Sequence, residues 1–329
     1  MRGSTARAVL GTLTVLVLLA LSACGAWPGG DGPLRDLRIM VPNAPGGGYD
    51  TTARTVARVM QEAHIASDVQ VFNLPGAGGT VGLQRLVDER GNGRLALQMG
   101  LGLVGASHVA RARVSVAWTT PLARLIEEAG AVVVRKDAPY RTIEDLIAAW
   151  QENPTRLKAG GGSSPGGPDH LLSMELAKAV GIDPTRVVYV PYGGGGGDLL
   201  PALLDGTVDF AVSGFGEFLD QLHSGQVRIL AVTSGAPVGV LPGVPTLKAS
   251  GIDLVFSNWR GIVAPPGISA EDEKRWVDAL TALHDSRQWK AELTRHGWTD
   301  AFATGDTFRT YLRQQDRFVA ALLAQLGLG

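Results

Sequence analysis

At 329 residues, 45% of them hydrophobic and 19% charged, the chain is long enough for two domains with sizeable cores. With 30 basic residues against 31 acidic ones the formal charge is −1, and no basic stripe interleaves with aromatics, so nucleic acid is not an expected partner. One cysteine excludes intrachain disulfides and cysteine-based metal sites, and the six histidines show no paired helical spacing for a metal, so neither metal nor cofactor is expected.

In chain order, Arg2 and Arg7 flank the start of an apolar stretch, 8–21, that is too short and wrongly flanked to span a membrane; Ser22 and Ala23 then lead to Cys24. This is a signal-peptide pattern. Leu21-Ser22-Ala23-Cys24 resembles a bacterial lipobox, whose cysteine is lipidated after cleavage. The mature protein is therefore expected to begin at Cys24, exported and lipid-anchored to the outer face of a membrane. Glycines and prolines over 27–33 read as a flexible tether, so 1–34 form leader and tether.

Two short glycine-rich stretches follow, Asn43-Ala44-Pro45-Gly46-Gly47-Gly48-Tyr49-Asp50 and Asn73-Leu74-Pro75-Gly76-Ala77-Gly78-Gly79. Each comes after an apolar run that reads as a strand, 37–41 or 69–72, and each opens an amphipathic stretch that reads as a helix. Backbone N–H groups at a helix N-terminus hold an anion without a charged side chain, and neither stretch contains a lysine. One glycine turn after a strand is commonly a turn and nothing more. Two of the same construction in succession favour a carboxylate or similar oxyanion held between them. In the first, Asp50 or Thr51 is placed to cap a helix whose apolar face carries Ala53, Val56, Ala57 and Met60.

Further strands are expected at 95–99, 131–134, 157–159, 187–190, 208–212, 229–232 and 261–264, with helices between them, which argues for parallel α/β construction. Thr142 and Asp145 make a capping box for 143–150, the apolar series Leu172, Leu176, Ala179 and Val180 is helical until Gly181, and Ser269 with Asp272 opens the first of two terminal helices, 270–284 and 306–326. Glycine-rich turns at 160–168, 192–197 and 213–216 all follow strands. In an open α/β sheet that is where ligands sit, so loops from both halves can close on one small molecule.

The first strand and its glycine turn with Asp50, the 73–79 turn, Val190-Pro191-Tyr192, Val208-Asp209-Phe210, 230–233 and 241–246 resemble, in order and spacing, the extracytoplasmic solute receptors of tripartite tricarboxylate transporters, the Bug and TctC-like proteins. The similarity runs over about 37–266, and Asn258-Trp259-Arg260-Gly261 is similar to the tricarboxylate-binding branch. The resemblance implies an α/β, two-domain, type II periplasmic-binding-protein-like fold with a ligand cleft between domains, 35–124 plus 229–329 and 125–228. It implies a monomeric receptor that closes on a di- or tricarboxylate and hands it to membrane permease subunits. Carried over by position, one carboxylate would be held by Asn43, Gly46, Gly47, Gly48, Asp50, Asn73, Gly76, Ala77, Gly78 and Gly79, and the far end by Ser163, Ser164, His170, Tyr192, Gly193 and Ser213, with Arg260 a further candidate. A bare Asp50 carboxylate would repel an anion, so capping the helix or ordering a bridging water suits it better.

Other classes fit less well. Gly162-Ser163-Ser164-Pro165-Gly166 matches the nucleophile elbow of a serine hydrolase, but Pro165 has no N–H where the oxyanion hole needs one. Gly76, Gly78 and Gly82 have the look of a dinucleotide fingerprint, yet the next strand ends at Met99-Gly100 without the acidic residue that a ribose requires. The expectation is therefore a binding protein without catalysis. The same receptor could serve a sensor kinase instead of a permease, which its own sequence does not separate.

Overall fold

The computed structural model describes residues 35–192 and 196–328; the expected signal peptide, Cys24 and Gly193 lie outside them. In chain order the strands and α-helices are β1 Leu37–Val41, α1 Gly48–Glu62, β2 Val69–Asn73, α2 Thr80–Asp88, β3 Leu95–Gly100, α3 Leu101–Val109, β4 Thr120–Arg135, α4 Ile143–Glu152, β5 Lys158–Gly161, α5 Pro168–Ala179, β6 Val188–Pro191, α6 Gly196–Leu204, β7 Phe210–Gly214, α7 Leu219–His223, β8 Val227–Val232, β9 Ser257–Ala264, α8 Ala270–Asp285, α9 Arg287–His296, β10 Thr299–Thr304 and α10 Gly305–Gln325.

These elements form two lobes joined through one long strand. The first lobe's sheet runs β2-β1-β3-β9-β4, with β10 pairing the first half of β4; the second runs β4-β7-β5-β6, with β8 also on β4. The last pair of β4 with β9 is Ala129 with Ser257, and its first with β7 is Gly130 with Gly214. β4 thus leaves one sheet and enters the other within one residue. Its sequence explains why it can do so: fourteen of its sixteen residues lie between Thr120 and Arg135, and most are apolar and buried, as a strand covered on both faces must be. Of its three charged interior residues, Arg124, Glu127 and Glu128, the two acidic ones fall just before the change of sheet.

The crossing is tied at one point. The Gly130 N–H donates to Thr233 Oγ1 at 2.8 Å, the Thr233 N–H donates to the Gly130 carbonyl at 2.9 Å, and the Thr233 hydroxyl donates to the Phe256 carbonyl. Thr233 is fully buried and follows β8, so the outgoing and returning connections are clipped together there.

The expectation of parallel construction holds within each lobe, where β1 pairs parallel with β2 and β3, and β5 with β6 and β7. It fails at the junction. β4 leaves the first sheet for the other lobe and β9 returns to it; the two run antiparallel to each other, and β9 antiparallel to β3, so the sheet is mixed. The Thr142 and Asp145 capping box forms, and Ser269 caps α8 through the Asp272 N–H at 3.0 Å. Helix α1, however, starts at Gly48 with Gly47 as its N-cap, so Asp50 and Thr51 lie inside its first turn and do not cap it. Helix α9 and β10 carried little sequence signal: α9 buries only Trp289, Glu292 and Leu293, and β10 is Thr-Asp-Ala-Phe-Ala-Thr.

Lobe meets lobe beside the junction, where α3 approaches the turn before α5. A Cβ on Gly105 would run into the Gly166 carbonyl, and one on Gly102 would lie 3.2 Å from the Tyr49 hydroxyl and 3.4 Å from Pro168. Only glycine permits this approach. Gly105→Ala is expected to lower the unfolding free energy by about 1–3 kcal/mol in denaturant titration, the usual cost of overpacking. Gly239→Ala, with nothing within 4 Å of the new methyl, should change it by less than about 0.5 kcal/mol.

Candidate functional site

The loop after β1 and the loop after β5 are built alike. Pro45-Gly46-Gly47 and Pro165-Gly166-Gly167 stand 120 positions apart; Gly46 and Gly166 have φ of +88° and +84°, and Gly47 and Gly167 cap their helices with φ/ψ of −76°/173° and −76°/171°. The positive φ is the left-handed region that glycine enters at least cost. Each turn is latched by the same bond. The Gly46 N–H donates to Asp50 Oδ2 at 2.9 Å, and the Gly166 N–H donates to His170 Nδ1 at 3.1 Å, in both cases to a side chain four residues ahead and inside the helix.

Asp50 therefore braces the first loop from behind and does not line the cleft. Its carboxylate also accepts from Arg54 Nε at 2.9 and 3.0 Å and from Asn73 Nδ2 at 2.9 Å. Burial alone would raise its pKa; the bonds from Arg54, the Gly46 N–H and Asn73 outweigh that and hold it below the usual carboxylate value. Asn73 ties the two expected glycine stretches together, since the same Nδ2 also donates to the Asn43 carbonyl at 3.0 Å. His170 is latched in the neutral form, its pKa lowered to about 4 by burial, with its ring edge-on to Tyr189 at 4.8 Å.

A cleft of about 880 Å³ opens between these loops. Of the sequence candidates, Asn43, Gly46, Gly47, Gly48, Gly78, Ser163, Ser164, Ser213 and Arg260 line it. Asp50, Asn73, Gly76, Ala77, Gly79, His170 and Tyr192 do not. Gly76, Ala77 and Gly79 shape the second stretch through φ of +154°, +46° and +101°, while Tyr192 packs against the apolar cluster of the second lobe. His170, the histidine next to the elbow-like segment, directs Nδ1 to the Gly166 N–H and not to Ser164.

On the first-lobe side, among the described residues, no side chain caps α1, and Gly47, Gly48 and Tyr49 of its opening turn line the cleft. Arg260, 6% exposed, lies against Gly48, where a Cβ would come within 2.5 Å of Nη2. It pairs through Nη2 with Glu128 Oε2 and donates from Nη1 to Thr52 Oγ1 at 3.2 Å, leaving its buried Nε without a partner. The start of α3 is closed to a ligand, because the Leu103 N–H donates to the Tyr49 hydroxyl at 3.2 Å; burial pushes that phenol up to about 12.

The second-lobe wall is largely acidic, and the sequence reading missed it. Glu128, Asp169, Glu217 and Asp220 line the cleft beside Ser213, and Asn258, Arg295, His296 and Trp298 are among the other lining residues. Burial, then the Glu217 charge, pushes Asp169 up to about 8. Two signals were available: an acidic pair inside a mostly apolar strand, Glu127-Glu128, and the second Pro-Gly-Gly, which places Asp169 at the position that Tyr49 holds in the first loop. Among the described residues no group of three or more His, Cys, Asp or Glu is arranged to hold a metal ion, and no helix is long and apolar enough to cross a membrane.

Comparison with known proteins agrees with this geometry. A family model described as "Tripartite tricarboxylate transporter family receptor" matches residues 52–327. The chain is similar to the "UPF0065 protein in the TAR-I ttuE-ttuC' intergenic region" of Agrobacterium vitis, 32% identical over 77% of this chain and 72% of that one. It superposes on MatC from Rhodopseudomonas palustris with bound malate (TM-score 0.75, 22% identical, 88% of this chain and 99% of that one) and on an R. palustris protein with adipate (0.77, 20%, 92% and 99%). The fold is thus the two-domain periplasmic-binding-protein fold.

Removing the latch tests the first loop. Asp50→Ala leaves the Gly46 N–H, Asn73 and Arg54 without their common acceptor and should lower stability at neutral pH by about 2–4 kcal/mol. Because the folded pKa of Asp50 is depressed, its contribution is complete above the ordinary carboxylate value and is lost as pH falls through the folded one. Unfolding curves of variant and parent should therefore converge in acid. A gap that is constant with pH would contradict the latch.

Proposed function

The chain belongs to the tripartite tricarboxylate transporter receptor family, and from that membership we propose that it captures a small carboxylate in the cleft and delivers it to the membrane subunits of such a transporter. The observation that carries this reading is the uncapped opening turn of α1 facing the cleft beside the buried, partly unpaired Arg260. A carboxylate fits there because it accepts from backbone N–H groups beside the Arg260 guanidinium, in a setting where the helix dipole favours negative charge. Malate and adipate in the two solved neighbours support di- and tricarboxylates as the class to screen first.

In this reading Asn43, Gly46, Gly47, Gly48, Gly78 and Arg260 receive the carboxylate, and Asp50 and Asn73 hold their loops in place. Ser163, Ser164 and Ser213 face the ligand from the other lobe. The proposed lobes, 35–124 with 229–329 and 125–228, have limits that fall within β4, the strand that joins the sheets, and β8, which pairs with the second half of β4. A solute receptor needs no bond-making residue, and binding with closure accounts for the site without one. The working unit is a monomer on the outer face of the membrane, tethered by lipid at Cys24.

Adding a bound carboxylate at about one hundred times its Kd should stabilise the folded state by about 2.7 kcal/mol and raise the Tm by several degrees. Gly48→Val, which displaces Arg260 and obstructs the opening turn, should abolish the shift while the unliganded protein keeps its circular dichroism spectrum. If no carboxylate and no other anion raises the Tm of the parent protein, the reading is wrong. The anchor is tested separately: a radiolabelled fatty acid should enter the protein in bacterial cells and be lost in Cys24→Ala, whereas labelling that persists would refute lipidation at that residue.

A further inference from the structure

The guanidinium groups of the cleft are already engaged by the protein. Among the described residues two arginines and no lysine line it, and each arginine meets a glutamate: Arg295 pairs with Glu292, and Arg260 with Glu128. The two pairs differ in burial. The Arg260 and Glu128 side chains are 8% and 9% exposed, whereas that of Arg295 is 62% exposed. Taking both charges of a pair that far out of water carries a desolvation cost that only good geometry offsets.

The chain is shaped around this pair on both sides. A Cβ on Gly48 would come within 2.5 Å of Arg260 Nη2, and Cβ atoms on Gly214 and Gly216 would lie 2.9 and 3.3 Å from Glu128 Oε1. Three glycines thus leave the room that the two side chains fill. Thr52 accepts from Arg260 Nη1 at 3.2 Å and donates its own hydrogen to the Gly48 carbonyl at 2.8 Å, which ties the guanidinium to the opening turn of α1. Arg260 stands on β9 and Glu128 on β4, while Gly214 ends β7 of the second lobe. Glu128 therefore reaches from the junction of the lobes to the grip, and its carboxylate is one guanidinium nitrogen away from Gly48.

We infer that Glu128 sets the affinity and the charge selectivity of the grip: it is an internal carboxylate that occupies Arg260, so a ligand carboxylate is held by neutral amides beside a matched ion pair and gains little from its own charge. The inference rests on the first loop being the carboxylate grip. Such an arrangement suits a receptor that must let its ligand go. An unmatched, desolvated guanidinium would add a charge-assisted bond, roughly twice as strong as a neutral one.

Calorimetric titration of the whole protein with pentanoate, glutarate and tricarballylate, whose five-carbon chains carry one, two and three carboxylates, tests this. Glu128→Gln keeps an acceptor for Arg260 and removes the charge. It should bind at least one of the three about ten-fold or more tighter than the parent, with a gain that rises with ligand charge and shrinks at high salt. Asp220→Asn removes the same charge from an exposed lining position and should gain at least about three-fold less. Glu128→Asp keeps the charge but withdraws it by one methylene, so it should gain in the same direction, and it carries the test if Glu128→Gln does not fold. Folded variants at 128 that bind no tighter than the parent, a gain as large for pentanoate as for tricarballylate, or an equal gain in Asp220→Asn overturns the inference and leaves the carboxylate grip standing. If neither the parent nor any variant binds any of the three, the inference fails, and the receptor reading fails with it when no carboxylate shifts the Tm.

Discussion

One short hydrogen bond organises the site: the N–H of a left-handed loop glycine donates to a side chain one turn into the following helix. It occurs once in each lobe and does two things in each. It fixes the glycine in a conformation that gives no return from packing or side-chain contacts, and it holds the helix start against the cleft. Because the latch takes the amide of Gly46 or Gly166, the next glycine becomes the N-cap and the opening turn of the helix is left to face outward. The acceptors differ, a carboxylate in Asp50 and a neutral imidazole in His170, and both are held in the unprotonated state by their surroundings. Around the first of these latches the protein gathers Arg54 and Asn73, which is how a loop after β1 and a loop after β2 come to act together.

Symmetry of construction with asymmetry of chemistry is the main structural lesson. The two lobes present the same strand, Pro-Gly-Gly turn and helix to the cleft, so a ligand between them meets equivalent backbones. Side chains then decide what each end can hold. Gly48 leaves room for the Arg260 guanidinium at the first helix start, whereas Pro168 and Ser163 remove donors at the second, and Glu128 enters from the strand that connects the lobes. The position of Glu128, one residue before β4's last pair with β9, couples the site to the junction. Its partner Arg260 lies on β9, so their ion pair bridges adjacent strands just where the chain changes sheet. Any change in the angle between the lobes must be accommodated at this pair and at the Gly130–Thr233 clip beside it.

Much of this was legible in the sequence, and what was not has physical reasons. The apolar runs after the tether, the capping box at Thr142, the N-cap at Ser269 and the two N-terminal glycine stretches all carry local signals, because strands, caps and turns are set by neighbours in sequence. The role of Asp50 could not be read that way. Its bond runs backwards to a glycine whose conformation only the fold reveals, and a carboxylate in the first turn looks like a cap. The true counterpart of the first loop was visible as a second Pro-Gly-Gly, but the nearer 73–79 stretch drew the comparison, since it lies about thirty residues away and the twin 120. The acidic wall escaped for a different reason: Glu128, Asp169 and Glu217 come from a strand, a helix start and a turn that are distant in sequence, and only the topology brings them to one face.

The central claim is that a carboxylate rests on the backbone amides of the first loop. Amide proton and nitrogen shifts of isotopically labelled protein, followed by NMR during titration with the tightest-binding carboxylate, test it directly. The account predicts that the largest downfield amide-proton shifts fall on Gly47, Gly48, Tyr49 and Gly78, with smaller changes at Gly166 and Gly167. Saturable binding that leaves those first-loop amides unmoved, or that moves the second loop alone, would contradict it.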